Sequence, residues 1–349
     1  MKKIISGIQQ VGIGIPDVYE AFEYYSKIFG MSTALFDDNG TAELMLPYTN
    51  NKPQDRHAIL ALNLKGGGGF EIWQYTTRTP EAAPFETELG DLGIFVCKMK
   101  SDDVRATYNE LKSLGVEVLS EPQESPSGEL HFFMKDKYGN LFEIIGGLPF
   151  FSKGKRHTGG SGGISVGVTD ADRSMKFYAE ILGYDKVVYD KEGVFEDLAA
   201  VPGGNKTFRR VLLTHSKPRE GSFSRLLGPS YIELFEARDF KPRKIFGGRQ
   251  WGDLGYIHIC FDVKGMATIK GECAAAGYPF TVDSGDSAFD MGEAAGHFAY
   301  VEDPDGTLIE LVETFRIPIM KKIGWYLNVA GKDPAKPLPD WLLKLLRFV

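Results

Sequence analysis

Glu71, Glu143, Glu233 and Glu310 each sit inside a short apolar run: Gly69-Phe70-Glu71-Ile72-Trp73, Leu141-Phe142-Glu143-Ile144, Tyr231-Ile232-Glu233-Leu234-Phe235 and Leu308-Ile309-Glu310-Leu311. A carboxylate among apolar neighbours suits general acid–base chemistry, because burial lifts its pKa toward neutrality, and it can also ligate a divalent cation. One imidazole, His258, lies in a further apolar run, Ile257-His258-Ile259, fifty-two residues before Glu310. Each residue alone has a plainer role. A strand glutamate usually alternates out to solvent, and a strand histidine is more often held by structural hydrogen bonds than used in chemistry. Four carboxylates at corresponding positions weaken that reading, although shared ancestry can preserve them without a function.

The elements that must position these residues are themselves repeated. Ile13-Gly14-Ile15-Pro16-Asp17 is matched by Val166-Gly167-Val168-Thr169-Asp170. From each aspartate the pattern predicts a helix with one apolar face, carrying Phe22, Tyr25, Ile28 and Phe29 in one copy and Met175, Phe177, Tyr178, Ile181 and Leu182 in the other. Gly30 and Gly183 close them, each thirteen residues after its aspartate. The aspartate caps the helix, the apolar stripe buries, and the glycine takes the left-handed exit. Looser copies run from Ile94 to Gly115 and from Ile257 to Gly277, and the turn before Glu143, Lys135-Asp136-Lys137-Tyr138-Gly139-Asn140, parallels Glu302-Asp303-Pro304-Asp305-Gly306-Thr307 before Glu310. Each module reads as strand, helix and three strands, which makes the chain an α+β protein of four βαβββ modules. The expected division is 1–147 for two modules, 148–162 for a linker, 163–316 for two more, and 317–349 for a tail that does not repeat. In that tail Leu338, Leu342, Leu345 and Val349 fall on one helical face. Two basic residues there make a weak membrane anchor, so docking on the protein's own surface is expected. Gly66-Gly67-Gly68-Gly69 and Gly159-Gly160-Ser161-Gly162-Gly163 lack the lysine and hydroxyl residue of a phosphate loop and read as turns or linker.

This order of elements, with Asp17 or Asp170 opening a helix that carries Tyr25 or Phe177-Tyr178 and with Asp303-Pro304-Asp305-Gly306 before a glutamate strand, resembles the vicinal oxygen chelate superfamily. That superfamily includes glyoxalase I, methylmalonyl-CoA epimerase, extradiol dioxygenases and the bleomycin and fosfomycin resistance proteins. The likeness covers about residues 4–316. It implies modules paired into cup-shaped mixed sheets, with metal ligands on the first and last strand of each contributing module. Carried onto this chain, the first-strand positions are Gln10, Asp91, Gly163 and His258, and the last-strand positions are the four glutamates. Asp91 stands fifty-two residues before Glu143, as His258 does before Glu310. If modules one and four share a cup, the set is Gln10, Glu71, His258 and Glu310, matching that of glyoxalase I, and the other cup is left with Asp91, Glu143, Glu233 and the ligandless Gly163. Pairing within each half would match no common family set. Crossed pairing is therefore expected, with one complete site and one decayed site.

The resemblance implies one divalent ion, whether Zn, Ni, Mn, Fe or Mg. Such an ion acts as a Lewis acid on two adjacent substrate oxygens and stabilises an enediolate. Glu310 is the first candidate for the base and Glu71 the second. Trp73, Phe133, Trp251 and Tyr300 are candidates for the substrate wall, and each would serve equally in a core. The function implied is that of a metal-dependent isomerase, epimerase or lyase of the glyoxalase type acting on a small oxygenated molecule. The alternative is a non-catalytic small-molecule binding protein like the bleomycin resistance proteins. Extradiol ring cleavage needs a second histidine, which the register does not place: His131 and His297 are out of step with the turns at Asp136 and Asp303, and His57, His157 and His215 read as loop residues.

Composition narrows the partners. A net charge of −7 argues against nucleic acid or an anionic membrane as the main partner. Three cysteines without CxxC spacing support neither a disulfide framework nor a cysteine zinc site, and fit a reducing cytoplasm. The apolar run after Met1-Lys2-Lys3 is broken by Gln9 and Gln10, so no signal peptide is expected, and a monomer or homodimer is the expected assembly.

Overall fold

The computed structural model describes residues 2–285, 289–290, 295–320 and 324–349. The first module comprises β1 (Ile4–Gly14), α1 (Val18–Phe29), β2 (Thr33–Thr41), β3 (Asp55–Leu62) and β4 (Gly69–Tyr75). The second has β5 (Gly93–Ser101), α2 (Val104–Ser113), the short β6 (Glu117–Val118) and β7 (Gln123–Glu124), β8 (Leu130–Lys135) and β9 (Leu141–Ile145). The third follows with β10 (Thr158–Val168), α3 (Ala171–Leu182), β11 (Lys186–Gly193), β12 (Phe208–Thr214), the single-turn α4 (Ser224–Leu227) and β13 (Tyr231–Ala237). The fourth is β14 (Gly255–Lys264), α5 (Met266–Ala275), β15 (Val282–Asp283), β16 (Phe289–Asp290), β17 (Ala295–Glu302) and β18 (Leu308–Met320), and the tail adds β19 (Trp325–Asn328) and α6 (Asp340–Lys344). The stretch expected as linker contains the start of β10, which begins at Thr158.

Local chemistry sets the helices as the repeat suggested. The Asp17 carboxylate accepts from the backbone N–H groups of Tyr19 and Glu20, and Gly30, at φ 67°, returns its N–H to the carbonyls of Ser26 and Tyr25. In α3 the Asp170 carboxylate accepts from the Arg173 backbone N–H and Gly183 returns its N–H to the carbonyls of Ala179 and Tyr178, each aspartate cap stabilising its helix by about 1 kcal/mol. The fourth module departs: α5 begins on Gly265 with no side-chain cap.

Two curled mixed sheets result, and each draws its strands from both halves of the chain. The first runs β2-β3-β4-β1-β14-β18-β17-β15, joining modules one and four, and the second runs β11-β12-β13-β10-β5-β9-β8-β6, joining modules three and two. In each, a central antiparallel pair, β1 with β14 or β10 with β5, carries a parallel partner on either side. The halves are tied internally by other means. The Tyr25 hydroxyl on α1 donates to Asp136 at 2.6 Å, and that of Tyr178 on α3 donates to Asp303 at 3.0 Å, so a helix of one module grips the turn of the next.

Strict alternation divides the strands between two environments. Val11, Ile13, Ile164, Val166, Ile259 and Phe261 join Tyr25, Phe29, Phe177 and Tyr178 in one core shared by both sheets and the helices. The opposite faces line the cups. The tail packs on the first cup, with Leu338, Leu342, Leu343 and Leu346 buried among Leu35, Leu62, Phe223 and Ile317, and Leu345 and Val349 partly so. It thus docks on the protein's own surface. No helix among the described residues is long and apolar enough to cross a membrane, and all three cysteines are buried and unpaired.

Candidate metal centre

The register of the first sheet brings four of the expected residues to one place. Glu71 on β4 lies beside Gly12 on β1, and Glu310 on β18 lies beside Cys260 on β14. Gln10 and His258, two residues earlier on β1 and β14, point into the same cup. The amide nitrogen of Gln10 stands 3.1 Å from His258 Nε2 and donates to Glu310 Oε2 at 2.9 Å. His258 Nε2 is 3.2 Å from Glu310 Oε2 and 3.4 Å from Glu71 Oε2. Ligand atoms from Glu71, His258 and Glu310 all lie within 4.8 Å of one another, and all three residues are buried.

Room for this cluster comes from an absent side chain. A Cβ on Gly12 would meet His258 Cε1 at 2.4 Å, so only glycine lets the imidazole lie across β1. On its other side the ring stacks parallel to Trp251, with centroids 6.3 Å apart, and its Nδ1 lies 3.5 Å from the Tyr300 hydroxyl. The imidazole is thus clamped with Nε2 aimed at the carboxylates, the orientation a metal-ligating histidine needs.

Electrostatics separate the two glutamates. Burial, then repulsion by Glu310, lifts Glu71 to about 7. Burial also pushes Glu310 upward, but the adjacent His258 outweighs it and holds this carboxyl below its ordinary value. For His258 the downward pull of burial is overcome by Glu310 and then by Glu71, leaving the imidazole raised. Without an ion the three groups titrate as a set: His258 favours its proton, Glu310 its charge, and Glu71 exchanges its proton at about pH 7.

The donor set suits a divalent cation. One imidazole, two carboxylates and a carboxamide oxygen are the mixed nitrogen and oxygen ligands that zinc and its first-row neighbours accept. The Gln10 Oε1 atom is buried with no hydrogen-bond partner, and turning the amide over would place this orphaned oxygen where Nε2 now faces the cluster. A cation there would satisfy it.

A cavity of about 470 Å³ opens over the cluster, lined by Leu35, Phe36, Met45, Leu60, Trp73, Trp251, Phe298 and Tyr300, with Arg56 and Asp38 also on its lining. Three of the four expected wall residues are therefore present. Phe133 is not: it lies on β8 in the second sheet, in the cluster of Leu89, Phe95 and Phe235. A strand aromatic in module two faces the other cup once the modules cross.

The second cup corrects the expectation further. Glu143 and Glu233 are buried and lie beside Lys98 on β5 and Ser165 on β10, so they correspond to Glu71 and Glu310. Two residues before Lys98 stands Val96, so the ligand position in module two belongs to a valine and not to Asp91. Asp91 precedes the strand altogether; it is buried and receives Arg243 Nη2 at 2.9 Å and the Arg243 backbone N–H at 2.7 Å, fastening a loop. The fifty-two-residue match was an accident of loop length. The sequence reading also missed a ring of alternating charges: Lys98 Nζ bonds Glu143 Oε2 and lies 2.6 Å from Glu233 Oε2, Arg210 joins Glu233 to Asp197 at 2.5 and 2.6 Å, and His131 closes the ring with Glu143 at 2.7 Å and Asp197 at 3.3 Å. One available signal was Lys98 and Lys100 alternating with Cys97 and Met99 at the end of the apolar run Ile94-Phe95-Val96-Cys97. His57, expected in a loop, is on β3 and bonds Asp37.

Both halves match the model of the Glyoxalase/Bleomycin resistance protein/Dioxygenase superfamily, over residues 7–144 and 160–311. The chain belongs to this superfamily. Its fold is similar to that of glyoxalase I from Zea mays, at 14% identity over 89% of this chain and 92% of that one, with a TM-score of 0.51. It is similar as well to a putative dioxygenase from Bacillus subtilis, at 15% identity over 89% and 86% of the two chains, with a TM-score of 0.55. No curated protein matches the chain. At such identities the likeness is one of fold, and the family description itself spans enzymes and a drug-binding protein.

Proposed function

We propose that the first cup holds one divalent ion through Gln10, Glu71, His258 and Glu310, and that the protein is a metal-dependent isomerase, epimerase or lyase of the glyoxalase type. The observation that carries the reading is the convergence of His258, Glu71 and Glu310 around one point, with the orphaned oxygen of Gln10 beside them. When bound, the ion supplies Lewis acidity toward two neighbouring substrate oxygens, favouring the enediolate form of an α-hydroxy carbonyl compound.

The chain's own residues divide the remaining work. Glu71 is the base we assign: Gln10 and His258 hold Glu310 at 2.9 and 3.2 Å, which leaves Glu71 the freer carboxylate to accept and return an α-proton. This reverses the order implied by the resemblance, because Glu310 is tied to both Gln10 and His258. The apolar walls exclude water and preserve the raised basicity of Glu71. Ring cleavage of the extradiol kind is disfavoured, since His258 is the sole histidine in the cluster among the described residues.

Elemental analysis of the purified protein tests the reading: one divalent ion per chain is expected, and its loss in His258→Ala. With the ion-loaded protein, α-hydroxy carbonyl compounds and thioesters are then screened for exchange of the α-proton in deuterated water. Glu71→Gln is expected to abolish that exchange. A protein without an ion, whose content is unchanged by His258→Ala, contradicts the proposal.

A further inference from the structure

The second cup has the same facing glutamates as the first, and what lies between them differs. Glu143 and Glu233 are each almost fully buried, and two such carboxylates cannot both remain ionised in an apolar cup without a cation. In the first cup, among the described residues, the imidazole is the side-chain cation paired with the two glutamates. In the second, the ammonium of Lys98 sits between them, bonded to one oxygen of each. Lys98 reaches this point because it occupies the strand position that is Gly12 in module one, Cys260 in module four and Ser165 in module three, directly beside the glutamate of its own module.

We infer that the second cup is a cation site of the same origin and geometry as the first, filled by the chain itself: the Lys98 ammonium stands in for a divalent ion between Glu143 and Glu233.

Three observations agree with this assignment. The side chains alternate around one ring: Lys98, Arg210 and His131 stand between Glu143, Glu233 and Asp197, so each carboxylate meets two nitrogen partners. Little space remains, since the cavity beside Lys98, His131 and Glu143 measures about 30 Å³ against about 470 Å³ over the first pair. Finally, the remaining partners are already committed, with Tyr189 donating its hydroxyl to Glu233 and Ser165 donating to the same carboxylate at 3.2 Å. The inference does not depend on catalysis in the first cup, because it concerns a difference in ion content between variants.

Removing the ammonium should reopen the site to an ion that favours oxygen ligands, such as Mn²⁺ or Mg²⁺. Lys98→Ala leaves Glu143, Glu233 and His131 around the vacated position and the ring one positive charge short. Purified in Mn²⁺ and then desalted, it is expected to retain one more ion per chain than the wild type, and its Tm is expected to rise on adding Mn²⁺ by more than that of the wild type. The double variant Lys98→Ala, Glu143→Gln restores the charge balance without a carboxylate pair, and should fold without Mn²⁺ and show no additional ion. Folding of Lys98→Ala only with Mn²⁺ present also supports the inference. It is overturned if Lys98→Ala folds and gains no ion, if it fails to fold even with Mn²⁺ while the double variant folds, or if the double variant gains the same ion.

Discussion

The two cups share strand order, register and a pair of facing glutamates, yet one encloses about 470 Å³ and the other about 30 Å³. The first leaves its polar groups undercommitted. Gln10 has a buried oxygen without a partner, and burial and then Glu310 lift Glu71 to about 7. The second leaves little uncommitted: Lys98 and Arg210 hold Glu233 far below the usual carboxylate range. The same backbone thus leaves an open cup with uncommitted polar groups where neither lysine nor arginine joins the glutamate pair, and a charged clamp where both do.

Breaking the clamp should have the largest effect. Arg210→Met strips a buried cation from both Asp197 and Glu233 and should cost about 3–5 kcal/mol in urea unfolding, with no change in ion content. Gly12→Ala strikes the first cup instead. Its Cβ would enter the space of the His258 ring, so ion affinity should fall at least tenfold, with a stability cost of about 1–3 kcal/mol; calorimetric titration with Mn²⁺ and thermal unfolding check the two parts.

The pH response sharpens the same contrast. In the ion-free protein Glu71 keeps its proton up to about pH 7, well above an ordinary glutamate. An ion must displace that proton and any proton on the raised His258 imidazole, so affinity should weaken as pH falls, by up to about tenfold per pH unit for each proton displaced, and most steeply below pH 7 where Glu71 is protonated as well. By the same linkage, the ion-free protein's stability from Glu71 is fully present below the ordinary glutamate pKa and lost as pH rises toward 7. The second cup should show the opposite trend: Glu143, Glu233 and Asp197 are all held low, so their stabilisation is present above the ordinary carboxylate range and lost only in acid. Unfolding of wild type and Arg210→Met across pH 3–8 separates the two. The smallest effect is expected from Asp91→Asn, which loosens the loop at Arg243 by about 1 kcal/mol and leaves ion binding untouched.

Much of the architecture was legible because it rests on local chemistry that repeats. Asp17 and Asp170 cap, Gly30 and Gly183 terminate, and alternation around each glutamate places one face in a core. Crossed pairing was legible only indirectly, through the way it gathers Gln10, Glu71, His258 and Glu310. What was not legible depends on register across strands far apart in the chain. Asp91 matched by distance along the sequence, but the loop before β5 shifts the true equivalent to Val96, and spacing cannot separate loop residues from strand residues. Phe133 was assigned to the wrong cup for a related reason. The charged ring escaped because Lys98, Arg210, His131 and Asp197 come from two modules and acquire meaning only when β5 meets β10.

The account's central claim is that one cup takes an external cation and the other carries its own. Anomalous diffraction at the manganese edge from crystals grown in Mn²⁺ tests it most directly. A single peak within ligand distance of His258, Glu71, Glu310 and Gln10, with none between Glu143 and Glu233, is the predicted result; no peak in the first cup, or a peak beside Lys98, would contradict it.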